Sequence, residues 1–309
     1  MSKSIVIVGS CMIDLSSYAT RLPLPGETIC GKKFIQGYGG KGANQCISAA
    51  KLGASTSLIA ALGSDDFGAK YLKVLSSENV DVSHVSIKEN VNSGMAQILI
   101  ADNGENCIVI VPGANDLLSI NDIDSAKDVI KSASVLLCQF ESCMETTLYA
   151  LKLHKGHGIS ILNGAPAVEN LNPELLESCT IFCVNEPEAE VMTGLRPLNL
   201  SNAQKAIDSL LEKGCNTIIL TLGSGGAVFA SKNERSMVHV PTEKVIPVDT
   251  TGAGDSFLGA LAYFMAYHPT LSMKECIKRA CQVATRSVLK PGTQASFPSR
   301  KELPEELFL

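Results

Sequence analysis

The sequence predicts an α/β protein: a doubly wound, mainly parallel sheet carrying a small β-sheet lid. Three observations predict it. From about residue 118, helical apolar patterns alternate with short β-branched runs, the sign of βαβ units in a sheet covered on both faces. The opening run SIVIV is apolar at every position, as a strand buried on both faces must be. Two stretches, about 12–36 and 93–111, read as extended chain and break the alternation. They form a separate small sheet, a lid inserted twice into a single domain of residues 1–309.

The elements follow in order. After SIVIVGS come the extended pieces RLPLPGET and CGKKFIQ, which belong to the lid. GYGGKGANQCISAAKLG is a glycine-rich loop opening a helix, TSLIAALG a strand, and FGAKYLKVLSSEN an amphipathic helix. SGMAQILIADNG and NCIVIVPGAN are lid strands joined at Asn-Gly, a dipeptide that fits the twist of a hairpin. Next come four helix–strand units: DIDSAKDVIKSA with VLLCQFE, TTLYALKLHKG with ISILNGA, PELLESC with IFCVNE, and AQKAIDSLLEKG with TIILTLG. A hairpin of GAVFAS and SMVHVP precedes an extended run VIPV, read as a strand, then the turn DTTGAGDSF and the apolar helix FLGALAYFMAYH.

Composition narrows the function classes. The chain has 309 residues, 45% hydrophobic and 18% charged, with a net charge of -5. That supports a sizeable core, and the scattered basic residues argue against nucleic acid or a membrane surface as partner. The eleven cysteines have no CxxC spacing, and many sit in apolar runs, where they read as small buried thiols rather than a disulfide framework. His154 and His157 fall in a loop and are not expected to bind metal. No signal peptide and no transmembrane run is recognised. A reducing compartment is expected, the cytoplasm with the nucleus also open.

Two glycine-rich segments carry chemistry. In an open α/β sheet, ligands collect beyond the carboxyl ends of the strands. DTTGAGDSF, residues 249–257, is read as such a strand-to-helix turn. Gly252, Ala253 and Gly254 leave bare N–H groups at a helix start, which attract an anion. Asp255 beside them is placed to accept a proton from an attacking hydroxyl, so the pair fits phosphoryl transfer. The plain alternative is a tight turn in which Asp255 or Thr251 caps the helix. GYGGKGAN formally matches G-x-G-x-x-G at Gly37, Gly39 and Gly42. However, it does not follow the first strand, and Lys41 is followed by Gly42, so dinucleotide and P-loop readings are both weak. A polyol-binding loop using Lys41 and Asn44 and a merely flexible loop both remain open. Asp14, Glu141, Asn185, Thr221 and Gly223 each fall at a strand end, with Glu188 one turn beyond Asn185. Singly each is an ordinary cap or edge residue; together they mark a shared crevice.

These residues resemble the ribokinase (PfkB) family of carbohydrate kinases, which also holds adenosine kinases and fructokinases. The likeness rests on GGKGANQCISAAKLG and DTTGAGDSFLGALA, and in motif order it covers nearly the whole chain. GSCMIDL, RLPLPGETI, QFES, NEPEAE, TLGSGG and GTQASFP are most similar to the ribose-phosphorylating branch. The resemblance implies transfer of the ATP γ-phosphoryl group to the O5 hydroxyl of D-ribose. It implies Asp255 as the base and Gly252, Ala253 and Gly254 as an anion hole. It implies ribose contacts at Asp14, Gly40, Lys41, Gly42, Ala43, Asn44, Glu141 and Asp255, with Lys41 staying charged as a donor. ATP contacts are implied at Asn185, Thr221, Leu222, Gly223, Ser224, Gly225, Gly226 and Gly254, and less firmly at Cys281, where the family varies. Asn185 and Glu188 match a magnesium-linked motif. Asp249, Thr251, Ser287, Lys290, Gly292 and Ser296 match the ligands of an activating potassium ion, mostly through carbonyl oxygens. A lid-to-lid homodimer is also implied. Gly164, where many relatives carry proline, and Cys11 and Met12 beside Asp14 depart from the pattern.

Rival readings are kinases of 2-deoxyribose, fructose or adenosine, a catalytically silent sugar sensor, and an oxidoreductase resting on GYGGKG alone. With 5% aromatic residues and no tryptophan, a base-stacking adenosine site is disfavoured. Asp14, set to read two ring hydroxyls, favours ribose over 2-deoxyribose.

Overall fold

The computed structural model describes residues 3–309. Its strands in chain order are β1 (Ser4–Val8), β2 (Met12–Ala19), β3 (Lys33–Gly39), β4 (Ser55–Gly63), β5 (Val80–Lys88), β6 (Gly94–Ala101), β7 (Asn106–Val111), β8 (Val135–Cys138), β9 (Ile159–Asn163), β10 (Ile181–Asn185), β11 (Thr217–Thr221), β12 (Ala227–Ser231) and β13 (Val238–Val240). The α-helices are α1 (Lys41–Lys51), α2 (Asp66–Ser77), α3 (Ile120–Ser125), α4 (Lys127–Ser132), α5 (Met144–His154), α6 (Pro173–Ser178), α7 (Glu186–Thr193), α8 (Ala203–Glu212), α9 (Ala253–Tyr267) and α10 (Met273–Ser287).

The main sheet has nine strands in the order β13-β12-β11-β10-β9-β8-β1-β4-β5. It is parallel from β11 to β5, and β12 and β13 run antiparallel at one edge. Alternation along β1 shows why both faces must be covered. Ile5 and Ile7 enter one core with residues of α1, α9 and α10, while Val6 and Val8 enter a second core with residues of α3 to α8. All four are fully buried, each contributing roughly 1.5–3 kcal/mol. The lid is a separate four-stranded sheet in the order β3-β2-β6-β7.

Several features differ from the sequence reading. RLPLPGET forms no lid strand: residues 20–32 hold none, and the first lid strand is β2, MIDLSSYA. EPEAEVMT, not read as a helix, is α7. His154 is the fully buried last residue of α5 and not part of a loop. VIPV is no strand: residues 241–250 hold no regular structure, and Ile246 is 92% exposed. The segment is tied to the end of α10 instead, where the Val248 and Asp249 amides both donate to the Val288 carbonyl. Its apolar side chains mimic a strand signal without being buried in a sheet. Val80–Lys88, which no motif singles out, is the edge strand β5, and its bonding to β4 shifts register between Ser57 and Ile59. DIDSAKDVIKSA is two helices, broken at Ala126. The second lid strand runs on to Gly39, directly into the glycine loop.

The departure at Gly164 has a local explanation. Its N–H donates to the Cys183 carbonyl at 2.8 Å, a bond proline lacks. A Cβ there would lie 2.7 Å from Phe182 Cζ and 2.6 Å from Val184 Cγ1. In this chain those two side chains fill the space. Gly259 matters more for the site. A Cβ on it would fall 2.5 Å from the Gln45 carbonyl, so its absence lets α9 lie close against α1 and brings the first turn of α9 onto that helix.

Candidate active site

The site forms where the carboxyl ends of β1, β8, β9, β10 and β11 meet the N-termini of α1, α7 and α9. Asp255 lies in the first turn of α9 and is only 7% exposed. Asn44 Nδ2 donates to its Oδ2 at 2.8 Å and Gln45 Nε2 to its Oδ1 at 3.0 Å. Burial pushes its pKa up; Lys41 and the two amides pull against the rise, and Glu141 adds to it. The capping alternative does not hold. The N-cap is Gly252 at φ 76°, and no side chain caps the helix. The Thr251 amide binds Asp249 Oδ1 instead. A Cβ at Gly254 would meet no heavy atom within 4 Å, so open space lies beside the first turn, whose amides lack intrahelical partners; that of Ala253 donates to the Thr250 carbonyl at 3.2 Å.

On the lid side of the site, the Lys41 amide and Ser10 Oγ both donate to Glu141 Oε2, at 2.8 Å and 2.6 Å. Burial works against the Lys41 ammonium, but Asp255, Glu141 and Glu188 outweigh it and hold its pKa above the ordinary value. Asp14 is paired in the lid through its backbone, but its carboxylate has no hydrogen-bond partner among the described residues. Burial, and secondarily Glu141, raise its pKa to about 6. Gly40 is the N-cap of α1. Gly42 and Ala43 face the end of β1: a Cβ on Gly42 would fall 2.6 Å from the Gly9 backbone, and the Ala43 amide donates to the Ser10 carbonyl. Asn115 fixes the lid hinge. It accepts from the Cys11 amide and donates to the Cys11 and Pro112 carbonyls.

Two cavities meet at the start of α9. A polar one of about 160 Å³ is lined by Lys41, Asn163, Asn185, Glu188, Asp255 and the Gly252–Gly254 turn. An apolar one of about 230 Å³ is lined by residues including Thr221, Gly223, Ser224, Gly226, Val245 and Cys281. Thr221, Thr250, Ala253, Gly254 and Phe257 line both. Leu222 is buried, and Gly225 accepts from His239 Nε2 through its carbonyl. Burial pushes the Cys281 thiol up to about 12, so it stays protonated. Asn185 and Glu188 form the capping box of α7, each side chain accepting from the other's amide. Burial raises the Glu188 pKa, against the Asn185 amide and Lys41.

The remaining predicted residues converge on a neighbouring loop. Asp249 accepts from the Thr251 amide through Oδ1 and the Gly292 amide through Oδ2. Those bonds overcome partial burial and hold its carboxyl below the usual range. The Ser287 and Ser296 hydroxyls are spent on the Ala284 and Thr293 carbonyls. Lys290 turns outward to Glu302 at 2.6 Å. Gln45, Gln139, Gln294, Ser10, Asn163, Thr250 and Phe257 are site residues that no strand-end argument singles out. Gln45 was visible only as the residue following Asn44 in GGKGANQ.

A model of the pfkB family carbohydrate kinases matches residues 2–300, and the chain belongs to that family. It is 44% identical to the protein called ribokinase from Mus musculus, over 99% of this chain and 95% of that one. It is 37% identical to the deoxyribokinase from Salmonella typhi, over 99% of each. Among solved structures, the ribokinase of Arabidopsis thaliana complexed with ribose and ATP superposes with a TM-score of 0.90 at 29% identity, covering 100% of both chains.

Proposed function

We propose that the chain transfers the γ-phosphoryl group of ATP to the O5 hydroxyl of D-ribose, with Asp255 as general base. One observation carries the reading: a buried carboxylate, pinned by α1 side chains, at an uncapped helix N-terminus between a polar and an apolar cavity. Asp255 takes the hydroxyl proton, and the first-turn amides of Ala253 and Gly254 stabilise charge developing on the transferred group. Lys41 remains an ammonium donor. Asp14 and Glu141 accept from ring hydroxyls, while Gly40, Lys41, Asn44 and the close-packed Gly42–Ala43 turn shape the sugar side. The apolar cavity suits an adenine ring, with Thr221, Gly223, Ser224, Gly226 and Cys281 around it and Asn185 toward the phosphates. The Arabidopsis relative, whose structure holds ribose and ATP, supports the pair of substrates.

Magnesium fits the residues present. Glu188 presents oxygen to the polar cavity, and no cluster of three or more His, Cys, Asp or Glu side chains suited to a metal occurs among the described residues. That suits an ion held by one carboxylate, waters and substrate phosphates. It would shield phosphate charge. Potassium fits as well: Asp249 and the carbonyls of Thr251, Ser287, Lys290, Gly292 and Ser296 offer oxygens, and the Lys290 ammonium is drawn away by Glu302. A cation there would hold the Asp249–Thr251 turn against the Gly292 loop.

The lid supports a homodimer. Strand β7 is exposed along its whole length, and Ile108, Val109, Ile110 and Val111 are each at least half exposed. A two-sided apolar edge strand is an association surface. The eleven free thiols fit a reducing compartment, the cytoplasm with the nucleus continuous to it. Among the described residues no helix is long and apolar enough to cross a membrane.

The Salmonella relative makes 2-deoxyribose the second candidate. Asp14 favours ribose, because its two carboxylate oxygens can accept from two hydroxyls and 2-deoxyribose leaves one of them without its sugar partner. The test is ADP formation with ATP and magnesium across ribose, 2-deoxyribose, fructose and adenosine, with and without potassium. Ribose is expected to lead and potassium to raise its rate. Turnover led by another acceptor would discard the sugar assignment, and no turnover with retained ribose binding would make the protein a sensor.

A further inference from the structure

Asp255 is held by a chain of amides that reaches well beyond the site. An amide side chain can present oxygen in place of nitrogen when it turns over. Its sense must be fixed if it is to donate reliably. For Gln45 that is done by Gln139, whose Nε2 donates to Gln45 Oε1 at 2.7 Å. With its oxygen occupied, Gln45 turns its nitrogen toward Asp255 Oδ1 at 3.0 Å, with Asn163 Oδ1 a longer second acceptor at 3.3 Å. Gln45 and Gln139 are both fully buried. Neither touches solvent, so water cannot substitute for either.

The chain carries a cost. The Oε1 atom of Gln139 is buried without a partner, which costs about 1–3 kcal/mol. The fold makes room for it: a Cβ on Gly9 would fall 2.0 Å from that oxygen. An apolar residue at 139 would remove the cost, so the amide serves something other than packing.

Resting on the proposed role of Asp255, we propose that Gln45, locked in sense by Gln139, is a positioning residue that fixes the rotation of the Asp255 carboxylate. Being fully buried, it acts through Asp255 and not on either substrate. It also favours the ionised carboxylate, because a donor stabilises the charged form. The other charges facing Asp255 are Lys41 from α1, Glu141 beyond β8 and Glu188 from α7.

The test is steady-state kinetics of Gln45→Met and Gln45→Glu, with wild type and Asp255→Ala alongside. For Gln45→Met, kcat is expected to fall about 10- to 100-fold, with KM for ribose and ATP within about threefold. Losing the donor raises the pKa of the base, so the acid limb of the kcat–pH profile moves to higher pH. Gln45→Glu adds a negative charge in the same place and moves the limb further. That order is not one a packing role produces. Gln139→Met leaves Gln45 free to turn over and is expected to give a smaller loss in kcat, again with unchanged KM; it provides the test if the Gln45 variants do not fold. An unchanged kcat and acid limb in an active background overturns the proposal alone, as does a loss confined to KM. A wild type as inactive as Asp255→Ala overturns the functional reading and the proposal with it.

Discussion

Asp14, half-buried, and Asp255, buried, both carry carboxyls with raised pKa, but their surroundings differ. Asp255 has two amide donors, whereas Asp14 has none among the described residues. At about 6, Asp14 is partly protonated in mildly acidic solution. Ribose hydroxyls donating to it would favour the ionised form and bring its pKa down. Binding should therefore release a proton, and affinity should weaken as pH falls below about 6, approaching tenfold per unit. Calorimetry of ribose binding at pH 6, in two buffers of different ionisation heat, is expected to show roughly half a proton released. In Asp14→Asn that release should vanish; no release in the wild type would remove Asp14 from the sugar site. Both aspartates were legible in the sequence because each sits in a short motif of small or apolar neighbours. Gln45 was not, because its meaning depends on Gln139, 94 positions away. Gln294 reaches Asn44 across 250 positions, and no local pattern records such a pairing.

Among the elements, periodicity was reliable where burial is two-sided. The parallel strands β8 to β11 and the helices α5, α6 and α8 sit where the alternation of apolar runs places them, with α7 an addition it did not signal. It failed where apolar side chains are exposed. VIPV resembles a strand, yet Ile246 and Val248 are exposed while Val245 and Pro247 line the apolar cavity. The edge strand β5, half polar and covered on one side, gave the opposite error. Strand β7 is a third case, legible as a strand and apolar where an edge should be polar. If the lid joins two copies, Ile110→Asp should shift a dimer to monomer by sedimentation equilibrium, with the fold kept because Ile110 is 55% exposed. A wild type that is monomeric at micromolar concentration would contradict the dimer.

For the molecule as a whole, the topology brings together residues that the sequence holds apart. Asp14 comes from the lid, Lys41 and Asn44 from the first helix, Asp255 from α9, and Asn185 and Thr221 from the far half of the sheet. Gly259 lets α9 close on α1, and that contact brings Asp255 against Asn44 and Gln45. The central claim is that Asp255 accepts the proton. Asp255→Asn keeps the size of the side chain and removes the base, although its NH2 replaces one of the two oxygens that accept from Asn44 and Gln45. The most direct measurement is kcat of this variant at saturating ribose and ATP, with ribose affinity measured in parallel. The account predicts a loss of about 10²- to 10⁴-fold with ribose affinity within a few-fold of wild type. A kcat within a few-fold of wild type would contradict it, and another group would then have to take the proton.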